Sequence, residues 1–264
     1  MQDLSGHAAP VYSPIAPLSP LLHVALLSLA GLVGGAINAV AGAGSMITLP
    51  ALMVVGGLPA SVANATNRIA VLVQSLSATA SFRQQRVQGM RIGLWLALPA
   101  CVGSLGGAWL ATVLPETTLR RVIGVVFLVM LVPILRPRRA AAGEGAVRAT
   151  PATFAAFLVL GLYGGFVQVG VGILVLVLFS MLGMSLVEGN QVKVVTVAAL
   201  TLVALALFLS KGLVAWRPGL VVAAGSAVGG WFGARLSVRR GERFIRAFLL
   251  VAAVASSLQL LGVL

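Results

Sequence analysis

Carboxylates are nearly absent from this 264-residue chain: five Asp and Glu stand against eighteen Lys and Arg. A cation carrier built on paired intramembrane carboxylates therefore has almost no parts, since only Glu188 lies beside an apolar segment. Histidine is as scarce. His7 and His23 both fall near the start, which leaves a Ser-His hydrolase, a zinc protease or a haem site without ligands. The single Cys101 can form neither an intrachain disulfide nor a multi-cysteine metal site. A GxxxxGK phosphate loop followed by Ser or Thr does not occur, so ATP is not a direct energy source within the chain. No enzyme activity, metal or cofactor is expected.

Hydrocarbon fills the chain instead: 59% of residues are hydrophobic, 9% are charged and the mean hydropathy is +1.08. A water-facing polar surface cannot be assembled from that composition, so the chain belongs in a bilayer. Its net charge of +13 lies in short arginine clusters between apolar segments, as the positive-inside rule expects. No basic helix or aromatic platform accompanies that charge, so nucleic acid is not an expected partner. The expected partners are the lipid bilayer and a small anionic substrate, with homo-oligomerisation open.

Residues 1–20 hold four prolines, no Lys or Arg, and no apolar core long enough for a signal peptide; they read as a flexible tail. Apolar segments follow at about 21–41, 45–57, 61–82, 92–112 and 119–135, then at 153–170, 173–184, 187–209, 217–236 and 244–262. The basic, Ala- and Gly-rich stretch 136–152 separates the two sets as a loop. A helix crossing the hydrocarbon needs about 20 residues, so 45–57 and 173–184 are short, and they occupy matching places. Paired short or Gly/Pro-interrupted segments point to a transport site. Charge favours ten crossings with the tail outside, because Arg83, Arg86, Arg91, the 136–148 arginines and the cluster from Arg235 to Arg246 then face the cytoplasm.

Two copies of one unit are expected, residues 21–135 and 153–264, in inverted orientation. Gly31, Gly34 and Gly35 answer to Gly161, Gly164 and Gly165; Gly42 and Gly44 answer to Gly170 and Gly172 across a two-residue gap. Asn64 and Asn67 then fall on Asn190 and Lys193, and GSLGGAWLA from Gly103 echoes GSAVGGWFGA from Gly225. The fold class is thus all-α: a polytopic membrane protein of two repeats with about five segments each, one of them short or broken. Glycines four apart, as at Gly31/Gly35 and Gly161/Gly165, let helix backbones approach closely.

The order of a Gly-rich segment, Pro50, VANATNR (Val62–Arg68) and GGAWLA (Gly106–Ala111) resembles the sulfite exporter TauE/SafE family of bacterial inner-membrane permeases. The likeness runs from about Gly31 over nearly the whole chain. It implies a polytopic permease for sulfite, sulfonates or related sulfur-containing organic anions. This chain departs from the family's usual glycine run by placing Ala43 and Ser45 around Gly44, and Val171 and Ile173 around Gly172.

The residues themselves say only "anion". Arg68 and Lys193 stand one to two turns into the third and eighth segments, where a charge costs about 2.5–3.5 kcal/mol on insertion scales. Asn64, Thr66 and Asn67 accompany Arg68, and Asn190 accompanies Lys193, offering neutral donors beside each cation. Such a set suits an oxyanion, which accepts hydrogen bonds on all sides. The alternative is that both cations snorkel to an interface. Asn38 and Gln168 are repeat-related candidates, with Thr48, Gln74 and Thr196 behind them. Gly42, Gly44, Ser45, Gly170 and Gly172 lie at the breaks, where backbone either turns or lines the substrate path. Ser185 to Glu188 reads as a capping box. The rival readings are a carrier or channel for another weak acid, and a non-transporting membrane scaffold.

Overall fold

The computed structural model describes residues 19–135 and 150–260, with side chains described for 19–130 and 150–239. The expected tail, apart from its last residues, and most of the 136–152 loop lie outside the described residues. Among the described residues the chain is all helix: α1 Pro20–Ala41, α2 Ser45–Val54, α3 Ala60–Gln84, α4 Met90–Val113, α5 Glu116–Leu135, α6 Pro151–Phe166, α7 Val171–Met181, α8 Leu186–Ser210 and α9 Trp216–Leu260. Four of these, Pro20–Ala41, Met90–Val113, Leu186–Ser210 and the Trp216–Arg239 part of α9, are long and apolar enough to cross a membrane.

Local chemistry explains the boundaries. Ser19 accepts from Leu22 N–H with Pro20 in the first turn, and Thr150 accepts from Thr153 N–H with Pro151 following. Ser185 Oγ accepts from Glu188 N–H at 3.3 Å, the cap expected at the start of α8. Helix α3 opens after Pro59 with no cap of its own. Glu116 supplies one from α5, its carboxylate accepting from Ala60 N–H at 2.5 Å and Ser61 N–H at 3.0 Å. An acid at a helix start answers both the unpaired N–H groups and the positive dipole end.

One expected break is absent. The segments read separately at 217–236 and 244–262 form a single helix, α9. The intervening SVRRGERFIR contains no proline and one glycine, and Arg and Glu propagate helix well, so nothing in the backbone chemistry stops it there. Helix α6 departs the other way, ending at Phe166 rather than near residue 170, which leaves Gln168 in the break.

Directions follow from paired contacts. Ser77 and Ser81 of α3 donate to Ala227 O (2.6 Å) and Trp231 O (3.0 Å) of α9, so those helices run parallel. Gly225 and Gly229 of α9 lie against Ser28 and Leu32 of α1, again in parallel, and Gly103 and Gly107 of α4 lie against Leu158 and Leu162 of α6. Helices α3 and α8 oppose each other: Arg68 near the start of α3 reaches Phe208 near the end of α8, while Ala78 and Phe82 pack with Val194 near its start. These two helices form the protein-filled centre. Large apolar side chains of α1, α4 and α9, among them Leu29, Val102, Trp109, Leu220 and Phe232, are turned outward as a lipid-facing surface requires.

The crossings rest on bare backbone. A Cβ on Gly31 would overlap the Val222 carbonyl, and one on Gly161 the Ala100 carbonyl. Gly31→Ala and Gly161→Ala should therefore each cost about 1–3 kcal/mol as overpacked contacts, seen as a lowered unfolding temperature in detergent. Gly124→Ala, whose Cβ would meet nothing within 4 Å, serves as the neutral control. Equal stability of all three variants would remove the packing role.

Candidate functional site

Two helices stop short inside the bundle. Helix α1 ends at Ala41, with Gly42 left-handed (φ 79°) and its N–H directed at Ile37 and Asn38 carbonyls. Helix α7 begins after Gly170, also left-handed (φ 73°). The two breaks touch, since a Cβ on Gly42 would strike the backbone of Gly172 and one on Gly172 would strike Gly42. Irregular backbone at membrane depth is tolerated only where protein buries it or it lines a cavity, and Gly42, Ala43 and Gly44 are all buried.

Neither cation snorkels: Arg68 is 0% exposed and Lys193 2%. Arg68 donates to the Gly164 carbonyl, to Gly165 O (2.8 Å) and Phe166 O (3.4 Å), to Gln168 Oε1 (2.9 Å) and to Asn64 Oδ1 (3.4 Å). Its guanidinium also sits 5.3 Å from the Phe208 ring centroid, a cation–π distance. Lys193 Nζ donates to Asn38 O (2.8 Å), Ala39 O (3.1 Å) and Asn190 Oδ1 (2.6 Å). Asn64 and Asn190 add their own amide hydrogens to Phe166 O (2.9 Å) and Val40 O (3.1 Å). Arg68 on α3 thus closes the carbonyl end of α6, and Lys193 on α8 closes that of α1. A positive group there satisfies orphan carbonyls and opposes the negative dipole end.

The remaining polar residues of α3 tie neighbours in place. Asn67 donates to Ser45 Oγ (3.1 Å) and accepts from Thr48 Oγ1 (2.6 Å), pinning α2. Thr66 Oγ1 accepts from Ala215 N–H (2.9 Å), pinning the α8–α9 turn. Thr196 donates to Gly93 O on α4.

Between the opposed helices and the breaks lies a small cavity. Asn38, Ser75, Gln168, Gly172 and Lys193 give it polar character, and Val71, Val171, Val194 and Val197 complete its wall. Among the described residues no carboxylate lines it. Gln168 bridges outward, accepting from Arg68 and donating to Thr201 Oγ1. The sequence candidates Asn38, Gln168, Gly172 and Lys193 meet here, while Gly44 and Ser45 border a second cavity that shares Asn38. Asn64, Thr66, Asn67, Arg68, Asn190, Gly42 and Gly170 line neither of these two cavities.

Arg68 and Lys193 do not converge on one ligand position. Thr201, the level at which Gln168 meets α8, lies eight residues beyond Lys193, about 12 Å along the axis at 1.5 Å per residue. Sequence reasoning also missed Ser226, whose hydroxyl donates to Gly31 O (3.1 Å) beside the second cavity. Its place inside a glycine-rich packing motif carries no polar periodicity that would mark it. Glu116 was missed too, because its partner N–H groups lie more than fifty residues earlier.

Residues 27–260 match the family model described as Sulfite exporter TauE/SafE. A Sinorhizobium sp protein, "Probable membrane transporter protein ORF9", is 30% identical, with 99% of this chain and 95% of the relative covered. "Probable membrane transporter protein YfcA" of Escherichia coli K12 is 28% identical over 92% of this chain and 91% of its own length. A Haemophilus influenzae "Probable membrane transporter protein" is 28% identical over 86% of this chain and 90% of its own. No solved structure matches the chain. With a lipid-facing surface, a polar interior between broken helices and a family match over nearly all the described residues, the chain belongs to the sulfite exporter TauE/SafE family of multi-pass membrane transporters.

Proposed function

We propose that this protein is a secondary transporter of the bacterial inner membrane that carries a small anion through the cavity beside Lys193. The observation that carries the reading is a buried ammonium facing a cavity with neutral amide and hydroxyl groups and, among the described residues, no carboxylate. That set attracts negative charge and offers hydrogen bonds around an oxyanion. Lys193, Gln168, Ser75 and Asn38 would contact the ligand, with Gly172 allowing close approach of backbone. Asn190 orients Lys193. Arg68 and Asn64 hold the end of α6 and, through Gln168, the far wall. Sulfite, sulfonates and related sulfur anions are the proposed substrate class, in keeping with the family.

The reading includes inverted duplication. Gly31 lies against Val222 and Gly35 against Ser226; Gly161 lies against Ala100 and Gly165 against Ser104. Those are the same contacts once α1 is exchanged for α6 and the first part of α9 for α4. The direction reversal between α1, α3, α9 and α4, α6, α8 supports inversion, as do the two cation-closed helix ends. Such repeats place a substrate site at their interface, on discontinuous helices.

Orientation is proposed from charge, with Arg83, Arg86, Arg91, Arg235 and Arg239 on the cytoplasmic side. Ser237 is buried, so Arg239 and Lys211, both exposed, are the useful probes. In a Cys101→Ser background, Lys211→Cys should react with an impermeant maleimide in intact cells and Arg239→Cys only after permeabilisation. The opposite pattern would reverse the orientation.

The site is tested in the purified protein. Lys193→Gln keeps part of the length and hydrogen bonding but removes the charge. A hydrogen bond to a charged group is worth about 1.5–3 kcal/mol, so sulfite affinity should fall on the order of tenfold to a hundredfold. Arg68→Gln should act first on stability, by leaving α6 carbonyls unpaired at about 1–3 kcal/mol, and show a lowered unfolding temperature. Unchanged affinity in Lys193→Gln would defeat the site. Absence of sulfite and sulfonate flux in proteoliposomes of the wild-type protein would defeat the substrate class.

A further inference from the structure

The second cavity lies across Asn38 and Val71 from the one beside Lys193. Helices α1, α2, α3 and α9 enclose it, and Asn38, Ser45, Thr48, Gln74 and Ser226 supply its polar atoms. Among the described residues no charged side chain lines it. Its hydrogens can be followed one by one. Thr48 Oγ1 donates to Asn67 Oδ1 (2.6 Å) and Ser226 Oγ to Gly31 O (3.1 Å). Gln74 Oε1 accepts from Asn38 Nδ2 (2.5 Å) and from Ser75 Oγ (3.3 Å). Gln74 Nε2 is left buried without a partner on a side chain 1% exposed. Ser45 Oγ accepts from Asn67 Nδ2, which leaves its own hydrogen for the cavity.

A buried N–H with nothing to donate to is destabilising, and native interiors keep few of them. Packing does not require this one. By the spacing that pairs Asn64 with Asn190, Gln74 answers to Leu200. By the spacing that pairs Gly42 with Gly170, Ser45 and Thr48 answer to Ile173 and Leu176. Leu200, Ile173 and Leu176 are all fully buried hydrocarbon, whereas Asn38 and Ser226 answer to the polar Gln168 and Ser104. Three of the five polar positions, Gln74 among them, are thus hydrocarbon in the second half.

We infer that this cavity is a second station for the transported oxyanion, in which Gln74 Nε2 and the Ser45 hydroxyl donate to its oxygens with no cation present. The inference rests on the anion reading of the Lys193 cavity and adds a second residence beside it. The orphan atom is a donor, so the complementary ligand group is an acceptor. Passage needs sites that hold an ion firmly enough to admit it and weakly enough to release it. A neutral station next to a charged one gives an anion somewhere to go on leaving Lys193, and Asn38, which borders both cavities, is the partition between them.

The test uses the full chain in proteoliposomes, with sulfite as the probe and three readouts: equilibrium affinity, transport rate and unfolding temperature. Gln74→Leu installs the residue of the other half. It should leave affinity within about twofold while the transport rate falls on the order of tenfold, the loss of about one charge-assisted hydrogen bond; its unfolding temperature should fall, because Leu also strands the Asn38 amide and the Ser75 hydroxyl that Oε1 accepts. Gln74→Glu should lower the rate further, since a carboxylate repels the anion. Wild-type transport by Gln74→Leu would overturn the station and leave a water pocket. A lost rate in Gln74→Leu with a wild-type rate in Gln74→Glu, which keeps the acceptor for Asn38 and Ser75, would assign Gln74 to packing and equally overturn it. Sodium-stimulated transport by Gln74→Glu above the wild-type rate would make the cavity a cation site. Failure of the underlying anion reading is separate, because it shows as unaltered sulfite affinity in Lys193→Gln.

Discussion

A helix that stops inside a bilayer leaves its last carbonyls facing neither water nor the next turn. Here the two such ends, of α1 and α6, are closed by Lys193 and Arg68 from helices distant in sequence. The rest of the arrangement depends on that exchange. Without the cations, breaks at Gly42 and Gly170 would expose backbone acceptors at a cost of about 1–3 kcal/mol each. Without the breaks, the cations would be buried with side-chain amides as their acceptors and no backbone carbonyls. Each cost is tolerable only because the other is present, so the cationic helices α3 and α8 are held at the centre against the broken ones.

That constraint explains why α3 is long enough to cross and yet lacks the apolar character of a lipid-facing span. Fifteen of its residues are buried, including Asn64, Thr66, Asn67, Arg68, Gln74, Ser75 and Ser81. Several of its polar groups spend their hydrogen bonds on a neighbouring helix: Asn67 on α2, Arg68 on α6, Ser77 and Ser81 on α9. The outer helices can then be apolar on their exposed faces and glycine-rich where they cross. Hydrocarbon does not drive helices together in lipid, so the Gly31–Val222 and Gly161–Ala100 contacts gain dispersion and backbone proximity instead.

Much of this was legible in the sequence because its signals are local. Proline, glycine and the limits of apolar runs place most helix ends within a few residues, and the cost of charge at depth singles out Arg68 and Lys193 before any coordinates. What could not be read was the acceptor. Burial cost identifies a residue that needs a partner, while the partner here is a backbone carbonyl about a hundred or more positions away, and every residue type offers the same carbonyl. For the same reason the sequence does not show that the two cations close different helix ends. Glu116 and Ser226 were hidden likewise. The continuous α9 escaped because an arginine cluster marks a membrane boundary without breaking a helix.

The cation on the cavity wall is also the one whose hydrogens are already committed. An ammonium has three, and those of Lys193 are directed at Asn38 O, Ala39 O and Asn190 Oδ1. An anion that takes the hydrogen given to Ala39 O leaves a carbonyl near the end of α1 unpaired unless the helix end adjusts, whereas Asn38 O keeps the Gly42 N–H. Losing the Asn190 contact instead frees an amide that also holds Val40 O, so that route leads to the same helix end. On the proposed reading, binding at Lys193 is mechanically connected to the break after Ala41, and through the Gly42–Gly172 contact to the second break. A guanidinium could not substitute there without change. Its fixed planar fork suits the carbonyl cluster that Arg68 holds, whereas a compact ammonium can turn from backbone to ligand on one flexible stem. On that reading the two halves of the chain put different cations to use, a clamp in Arg68 and an exchangeable contact in Lys193.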